Sequence, residues 1–325
     1  MIDPRDRLRG LLLGTAVGDA LGLACEGLDA ATIARRFGDL DRYRLVGRRG
    51  YVSDDTEQAA LVAQSLIQGG TDDAAVLRRF RWALRGWFIR LPFGIGGATL
   101  RACLRLLVGL PSGVHSAGNG AAMRAAIVGP AVADRARRRH LGEALARVTH
   151  TDPRAVEAAV FCAELAALAA RSPTDADRRA LVAQARRGVQ DAELAGAIDA
   201  ALIHGPSGVT GFILHSLPVV AWAFVTHGDA PIAAIRATIR LGGDTDTHAA
   251  MVGALCGALH GEAALPTDLV AALAPGPFGA RHLRRLADAL ADGGPAPRYS
   301  RIGAWLRNLA LYPVILAHGF RRLLP

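Results

Sequence analysis

Lysine is absent from this chain: all 38 of its basic residues are arginine. An absolute arginine preference beside abundant alanine and glycine is the mark of a GC-rich coding sequence, and it says little about partners. The arginines are dispersed, with short runs at 135–139, 178–187 and 281–285 that fall among helical residues. A nucleic-acid binder gathers its charge on one face or segment, so the formal charge of +9 does not argue for one and no nucleic-acid partner is expected. Aromatic residues make up only 5% of the chain, and the dominance of Ala and Leu favours helix over strand. The four cysteines, Cys25, Cys103, Cys162 and Cys256, lack the paired spacing of a zinc or redox site and read as small core residues. No run approaches the ~20 apolar residues that would cross a bilayer, which excludes stable membrane insertion. The first seven residues lack the apolar stretch of a signal peptide, and the chain reads as cytoplasmic.

What is present is helical. Half of the residues, 51%, are hydrophobic, and the apolar spacing predicts about a dozen helices with no alternating strand and no fixed-period repeat. Predicted segments include Arg7–Leu23, Ala59–Ile67, Ala74–Ile89, Ala98–Leu107, Ala121–Val132, Ala155–Ala170, Ile213–Val225 and Ala249–Leu259. The expectation is an all-α protein: a compact multi-helix domain over residues 1–292, then a tail helix over 293–325. The tail, rich in Trp305, Leu309, Leu311, Val314 and Phe320, reads as a docked helix or dimer contact in preference to an interfacial membrane segment.

Two acidic turns carry the chemistry. Ser53-Asp54-Asp55-Thr56 and Gly242-Gly243-Asp244-Thr245-Asp246-Thr247 each open onto an apolar helical run. Taken singly, either could be a helix cap, because Asp, Ser and Thr oxygens accept bonds from exposed amides there. One cap needs one oxygen, however, and adjacent aspartates repel unless a cation lies between them. Hard divalent cations take oxygen ligands, so the doubled turns predict a metal cleft. Thr71-Asp72-Asp73, after a Gly-Gly stop and before a surface-patterned helix, reads as a cap only.

The first helix aligns Gly10, Gly14 and Gly18 on one face for close helix packing. Asp19 beside that seam and Glu26 at its end are each either a surface charge or a ligand. Glycine-rich loops at 91–97 and 112–120 could hold an anion at a helix start, although no Walker lysine exists to make a P-loop. His150, in Thr149-His150-Thr151-Asp152-Pro153, is either a structural histidine or a contact to a phosphate or ribose.

Gly18-Asp-Ala-Leu-Gly22 followed by Glu26, then Ser53–Thr56, Gly118-Asn-Gly120 with Met123-Arg124, Thr149-His150 and Gly242–Thr247 stand in a familiar order. The chain resembles the ADP-ribosylglycohydrolases over roughly residues 5–290; the tail falls outside the resemblance. The resemblance implies an all-helical fold with a binuclear cleft holding two divalent cations, Mg2+ or alternatively Mn2+. Ser53, Asp54 and Asp55 would ligate from one side and Asp244, Asp246 and Thr247 from the other. Glu26, Asp55 and Asp246 would be the catalytic carboxylates. Ser116, Gly118, Asn119, Gly120, Met123, His150 and Phe212 would contact the substrate. The implied reaction is hydrolysis at the anomeric carbon of ADP-ribose, with water as nucleophile and Asp55 or Glu26 as base. The implied partner is an ADP-ribose conjugate or ADP-ribosylated protein, met by a monomer or homodimer. A non-catalytic ADP-ribose-binding or crystallin-like structural member is the alternative.

One departure is visible. Arginine-directed relatives often carry Asp in a Pro-x-Asp-Ile-Gly loop, and this chain has Gly94 in Pro92-Phe93-Gly94-Ile95-Gly96. Glycine cannot pair with a guanidinium, which brings serine-linked or acetyl-ester conjugates into consideration.

Overall fold

The computed structural model describes residues 2–322. The first eight helices are α1 (Pro4–Gly22), α2 (Ala30–Phe37), α3 (Asp54–Gly69), α4 (Asp73–Ile89), α5 (Gly97–Leu107), α6 (Val128–Ala131), α7 (Arg135–Arg147) and α8 (Pro153–Ala169). Next come α9 (Arg178–Arg186), α10 (Ala192–His204), α11 (Ile213–His227), α12 (Pro231–Leu241) and α13 (Thr245–His260). The chain closes with α14 (Thr267–Ala272), α15 (Ala280–Asp292) and α16 (Arg301–Arg322). No strand forms among the described residues, as the alanine- and leucine-rich composition predicts. The cysteines are all buried and none is in a disulfide.

Helix α13 is buried along its whole length from Thr245 to Leu259, as a helix apolar on every side must be. Its main partner is α1, which runs antiparallel to it with backbone touching backbone. Gly14 lies on Gly253, Gly18 on Ala249, and Gly22 on Thr245, where an added Cβ would stand 2.5 Å from the Thr245 carbonyl oxygen. The predicted glycine face is this seam. Its geometric effect is to bring the C-terminal end of α1 against the N-terminal end of α13, where the second acidic turn lies. At the other end, buried Arg7 gathers the carbonyls that terminate α8 and α13, donating to Ala169 (2.8 Å) and Leu259 (2.9 Å). A guanidinium suits helix C-termini, where carbonyls lack intrahelical donors.

Asp72 caps α4 by accepting from the Ala75 amide at 3.0 Å, so the third acidic doublet is the cap it was read as. The predicted helix over Ala121–Val132 does not form as one element. The chain there winds in tight turns (Ala122 N to Asn119 O, Ala125 N to Ala122 O) before the short α6. The buried Arg124 guanidinium, which donates to the Gly120 carbonyl at 2.7 Å and to Gln58 and Thr149, holds the stretch in this form.

Helix α16 docks by its inner face. Arg307 pairs with the buried Glu57 carboxylate of α3, which also accepts from Trp87 Nε1 at 2.6 Å. Asn308 Nδ2 donates to the Arg90 carbonyl (2.8 Å) and Tyr312 Oη to the Pro92 carbonyl (3.1 Å). Leu311 packs with Leu23 and Phe93 in a small separate core. The tail therefore clasps the segments before Glu26 and around Gly94. Arg307→Ala, which leaves a buried carboxylate with the indole alone, is expected to cost about 3 kcal/mol, read as a lowered urea midpoint. An unchanged midpoint would show that the clasp carries no stability.

Candidate metal centre and cleft

At the start of α3 the capping duty falls to Ser53, whose Oγ accepts from the Asp55 amide at 3.3 Å. The aspartates are thereby released for other work. Asp54 Oδ2 accepts from Gln58 Nε2 (3.0 Å), and Asp55 Oδ2 accepts from Ser53 Oγ (3.1 Å) and Thr247 Oγ1 (3.2 Å). The last of these bonds joins two turns 192 positions apart in the chain. Asp55 Oδ1 is buried and accepts no hydrogen bond. A buried carboxylate oxygen without a donor is costly, and it is what a cation would satisfy.

The second turn needs its glycines, since Gly242 and Gly243 take left-handed φ values of 81° and 75°. Asp244 occupies the cap position of α13 yet makes no capping bond. Its Oδ2 instead accepts from Asn119 Nδ2 at 2.6 Å. The cap interpretation thus fails for the acids of both turns, and the convergence they predicted is present. Glu26 is carried to the same place by backbone pairing of its loop with this turn: Gly27 N to Gly243 O at 2.7 Å and Gly243 N to Leu28 O at 2.9 Å.

Asp19 has the role that the sequence left open. It is wholly buried and accepts from the Ser53 amide (3.0 Å), the Thr56 amide (3.1 Å) and Thr56 Oγ1 (2.5 Å), clamping the first turn onto α1. Asp19, Asp55 and Asp246 each present an oxygen within 4.8 Å of the other two. Burial raises Asp54, Asp55 and Asp246 well above the usual carboxylate range, with like charges adding to it. Burial also raises Asp19, to about 6, despite the hydrogen bonds from Ser53 and Thr56 that oppose the shift. Crowding this many acids in a buried space suits hard cations and little else.

The sign of the stability effect follows. Folded-state pKa values above the unfolded value of about 3.9 mean that the folded chain holds extra protons, so stability falls as pH rises through that window. Cation-free protein is expected to melt at a lower temperature at about pH 8 than at about pH 5, with saturating Mg2+ or Mn2+ closing the gap. Thermal melts in chelator and in metal check this; a flat profile in chelator would contradict the buried cluster.

Above the acids lies a cleft of about 510 Å3. Of the expected residues, Glu26, Asp54, Asp244, Asp246, Thr247, Ser116, Gly118, Asn119, Gly120, Met123 and His150 line it. Ser53 and Asp55 lie buried beneath. Phe212 stands outside the lining, 37% exposed, with the Arg154 guanidinium 5.6 Å from its ring. Thr99, Thr210 and Gly211 line the cleft without having been singled out; no spacing or charge marks them in the sequence.

A buried hydrogen-bond chain ties floor to wall. Arg124 donates to Gln58 Oε1 (2.8 Å) and to Thr149 Oγ1 (2.6 Å), and Gln58 holds Asp54. Thr149 Oγ1 in turn lies 2.8 Å from His150 Nδ1. The imidazole packs against Gly118 and Gly120, with Nε2 toward them. Burial, then the Arg124 charge, push its pKa down to about 3, which keeps the ring neutral.

A helical scaffold here closes two acidic turns into a carboxylate floor beneath a cleft, an arrangement that could hold divalent cations. The profile of the ADP-ribosylglycohydrolase family matches residues 1–299. The chain belongs to that family. It is 30% identical to the ADP-ribosyl-[dinitrogen reductase] glycohydrolase of Rhodospirillum rubrum, covering 88% of this chain and 95% of that one. It is also 30% identical to the ADP-ribosylarginine hydrolase Tri1 of Pseudomonas putida, covering 89% and 79% respectively. Among solved structures, one titled an ADP-ribosylglycohydrolase-related protein complex superposes with a TM-score of 0.74 at 31% identity, over 89% of this chain and 98% of that one.

Proposed function

We propose that this protein hydrolyses the glycosidic bond between ADP-ribose and an acceptor, using two divalent cations, Mg2+ or Mn2+. The observation that carries the reading is the Thr247–Asp55 bond, with the donorless Asp55 oxygen beside it. Asp54, Asp55, Asp244 and Asp246 would hold the cations, with the Ser53 and Thr247 hydroxyls adding oxygen without charge. Bound there, the cations supply Lewis acidity and an acidified water.

The chain's own groups do the rest. Asp55 or Glu26 accepts the proton of the attacking water; burial raises the Asp55 pKa, which suits that carboxylate to the role. Asn119 fixes the orientation of Asp244 and, through its own amide bonded to the Gly211 carbonyl at 3.0 Å, the wall of the cleft. His150 offers its Nε2 to a phosphate or ribose group.

The acceptor side distinguishes this chain. Gly94 lines the cleft with a φ of 80°, and a Cβ there would stand 2.9 Å from Asp54 Oδ1. No carboxylate from this loop awaits a guanidinium, which supports an oxygen-linked conjugate as substrate. The test is release of ADP-ribose from arginine-, serine- and acetyl-linked conjugates with each metal, beside an Asp244→Ala, Asp246→Ala control. Release from the serine or acetyl conjugate that chelator and the double variant abolish is the expected result. Preference for the arginine conjugate would overturn the acceptor assignment, and release from none would end the hydrolase reading.

A further inference from the structure

The outer face of α16 has no partner among the described residues. Ile302, Trp305, Leu306, Leu309, Leu316 and Phe320 are all exposed, from 39% at Leu309 to 73% at Ile302. They recur at helical spacing along an element roughly 33 Å long at 1.5 Å per residue, and Ala310, Pro313 and Ala317 fill the positions between them. The stripe is therefore continuous and carries no polar side chain.

At its N-terminal end the stripe runs into a groove shared with α4 and the end of α5, where Trp82, Ile89 and Val108 are 68%, 62% and 71% exposed. Five arginines line this groove, Arg79, Arg85, Arg90, Arg298 and Arg301, and not one carboxylate does. The sequence keeps the same rule: after Asp292 it contains no Asp or Glu, but five Arg, of which, among the described residues, only Arg307 pairs with an acid, Glu57. The face is thus strongly apolar and flanked by uncompensated positive charge.

We infer that this face is a docking surface for an anionic phospholipid bilayer, on which α16 lies in the plane of the headgroups. Charge complementarity selects the occupant. A second copy of the chain would bring one arginine-lined groove against another with no acid in either lining. An anionic bilayer neutralises the arginines and accepts the apolar stripe in one contact. Trp305 is suited to the boundary between headgroup and hydrocarbon. No helix among the described residues is long and apolar enough to cross a membrane, so the association is peripheral. Because α16 also clasps the loops beside the cleft, the catalytic opening would be held at a set distance from the lipid. The inference stands apart from the hydrolase reading and does not need it.

Sedimentation of the full chain with vesicles of phosphatidylcholine alone, or with about 30% phosphatidylserine, tests it. Binding to the anionic vesicles, at least tenfold stronger than to neutral ones and weakened by salt, is expected. Trp305→Glu with Leu309→Glu should reduce it at least tenfold, and Ile89→Glu, on a different helix, should reduce it too. Circular dichroism establishes that each variant is folded. Absence of vesicle binding, or equal binding to neutral and anionic vesicles, overturns the inference. So does a dimer in light scattering that Trp305→Glu dissociates, since the face would then belong to a second copy.

Discussion

Asp55→Asn is expected to abolish divalent-cation binding and to lower ADP-ribose release by about 10²–10³-fold, the scale for losing one preorganised electrostatic group. The asparagine keeps an oxygen to accept from Ser53 Oγ and Thr247 Oγ1, so the two turns still meet. What disappears is a charge buried beside Asp54, which is among the causes raising the Asp55 pKa. Without metal at about pH 8 the variant should therefore melt above the parent, because an ionised carboxylate has been taken out of a crowded site. Calorimetry with Mn2+, a release assay and melts in chelator give the three readings. Lost activity together with a lowered melting temperature would mean that Asp55 is a structural acid, not a ligand held in strain.

Gly18→Ala should be among the most damaging of the small substitutions at the described residues. In an ordinary helix this change gains ~1 kcal/mol. Here the new methyl would be driven into the main-chain carbonyl of Ala249, which cannot step aside as a side chain could. A cost of about 3 kcal/mol or more is expected, so the sign of the usual propensity effect is reversed. Gly196→Ala in α10 is the matched control, since a Cβ there meets nothing within 4 Å. It should stabilise by about 0.5–1 kcal/mol. Urea unfolding of the two variants measures the difference, and activity should fall with Gly18→Ala because the seam holds the two acidic turns in reach of each other. Equal behaviour of the two variants would show that α1 and α13 do not touch.

Much of this arrangement is visible before folding, and the reasons are local. The acidic turns announce themselves because doubled aspartates exceed what a helix cap can use. The central helices are apolar around their whole circumference, so their burial follows from composition. Where local pattern fails, the deciding partner is distant. Asp19 is a single acid in a glycine-rich helix, and nothing near it reveals that the amides of Ser53 and Thr56 close on it. Arg124 stands in the motif Met123-Arg124, yet nothing beside it reveals that its side chain connects Asp54 to His150 through Gln58 and Thr149. Arg307 sits in a tail that resembles a free amphipathic helix, yet its counter-ion Glu57 lies 250 positions earlier. Phe212, marked only by the resemblance, stands outside the cleft lining with the Arg154 guanidinium 5.6 Å from its ring.

The α1–α13 seam has a consequence for how such a site can change over time. Contacts made between main chains are blind to most side-chain identities, so the surroundings can drift widely while the carboxylates keep their spacing. Adding or deleting one residue is another matter, because it turns everything beyond it by about 100° around the helix axis and would swing an acid out of the floor. Tolerance in this protein is therefore asymmetric: generous toward replacement away from the seam glycines, nearly closed to a change of length between the seam and either acidic bend.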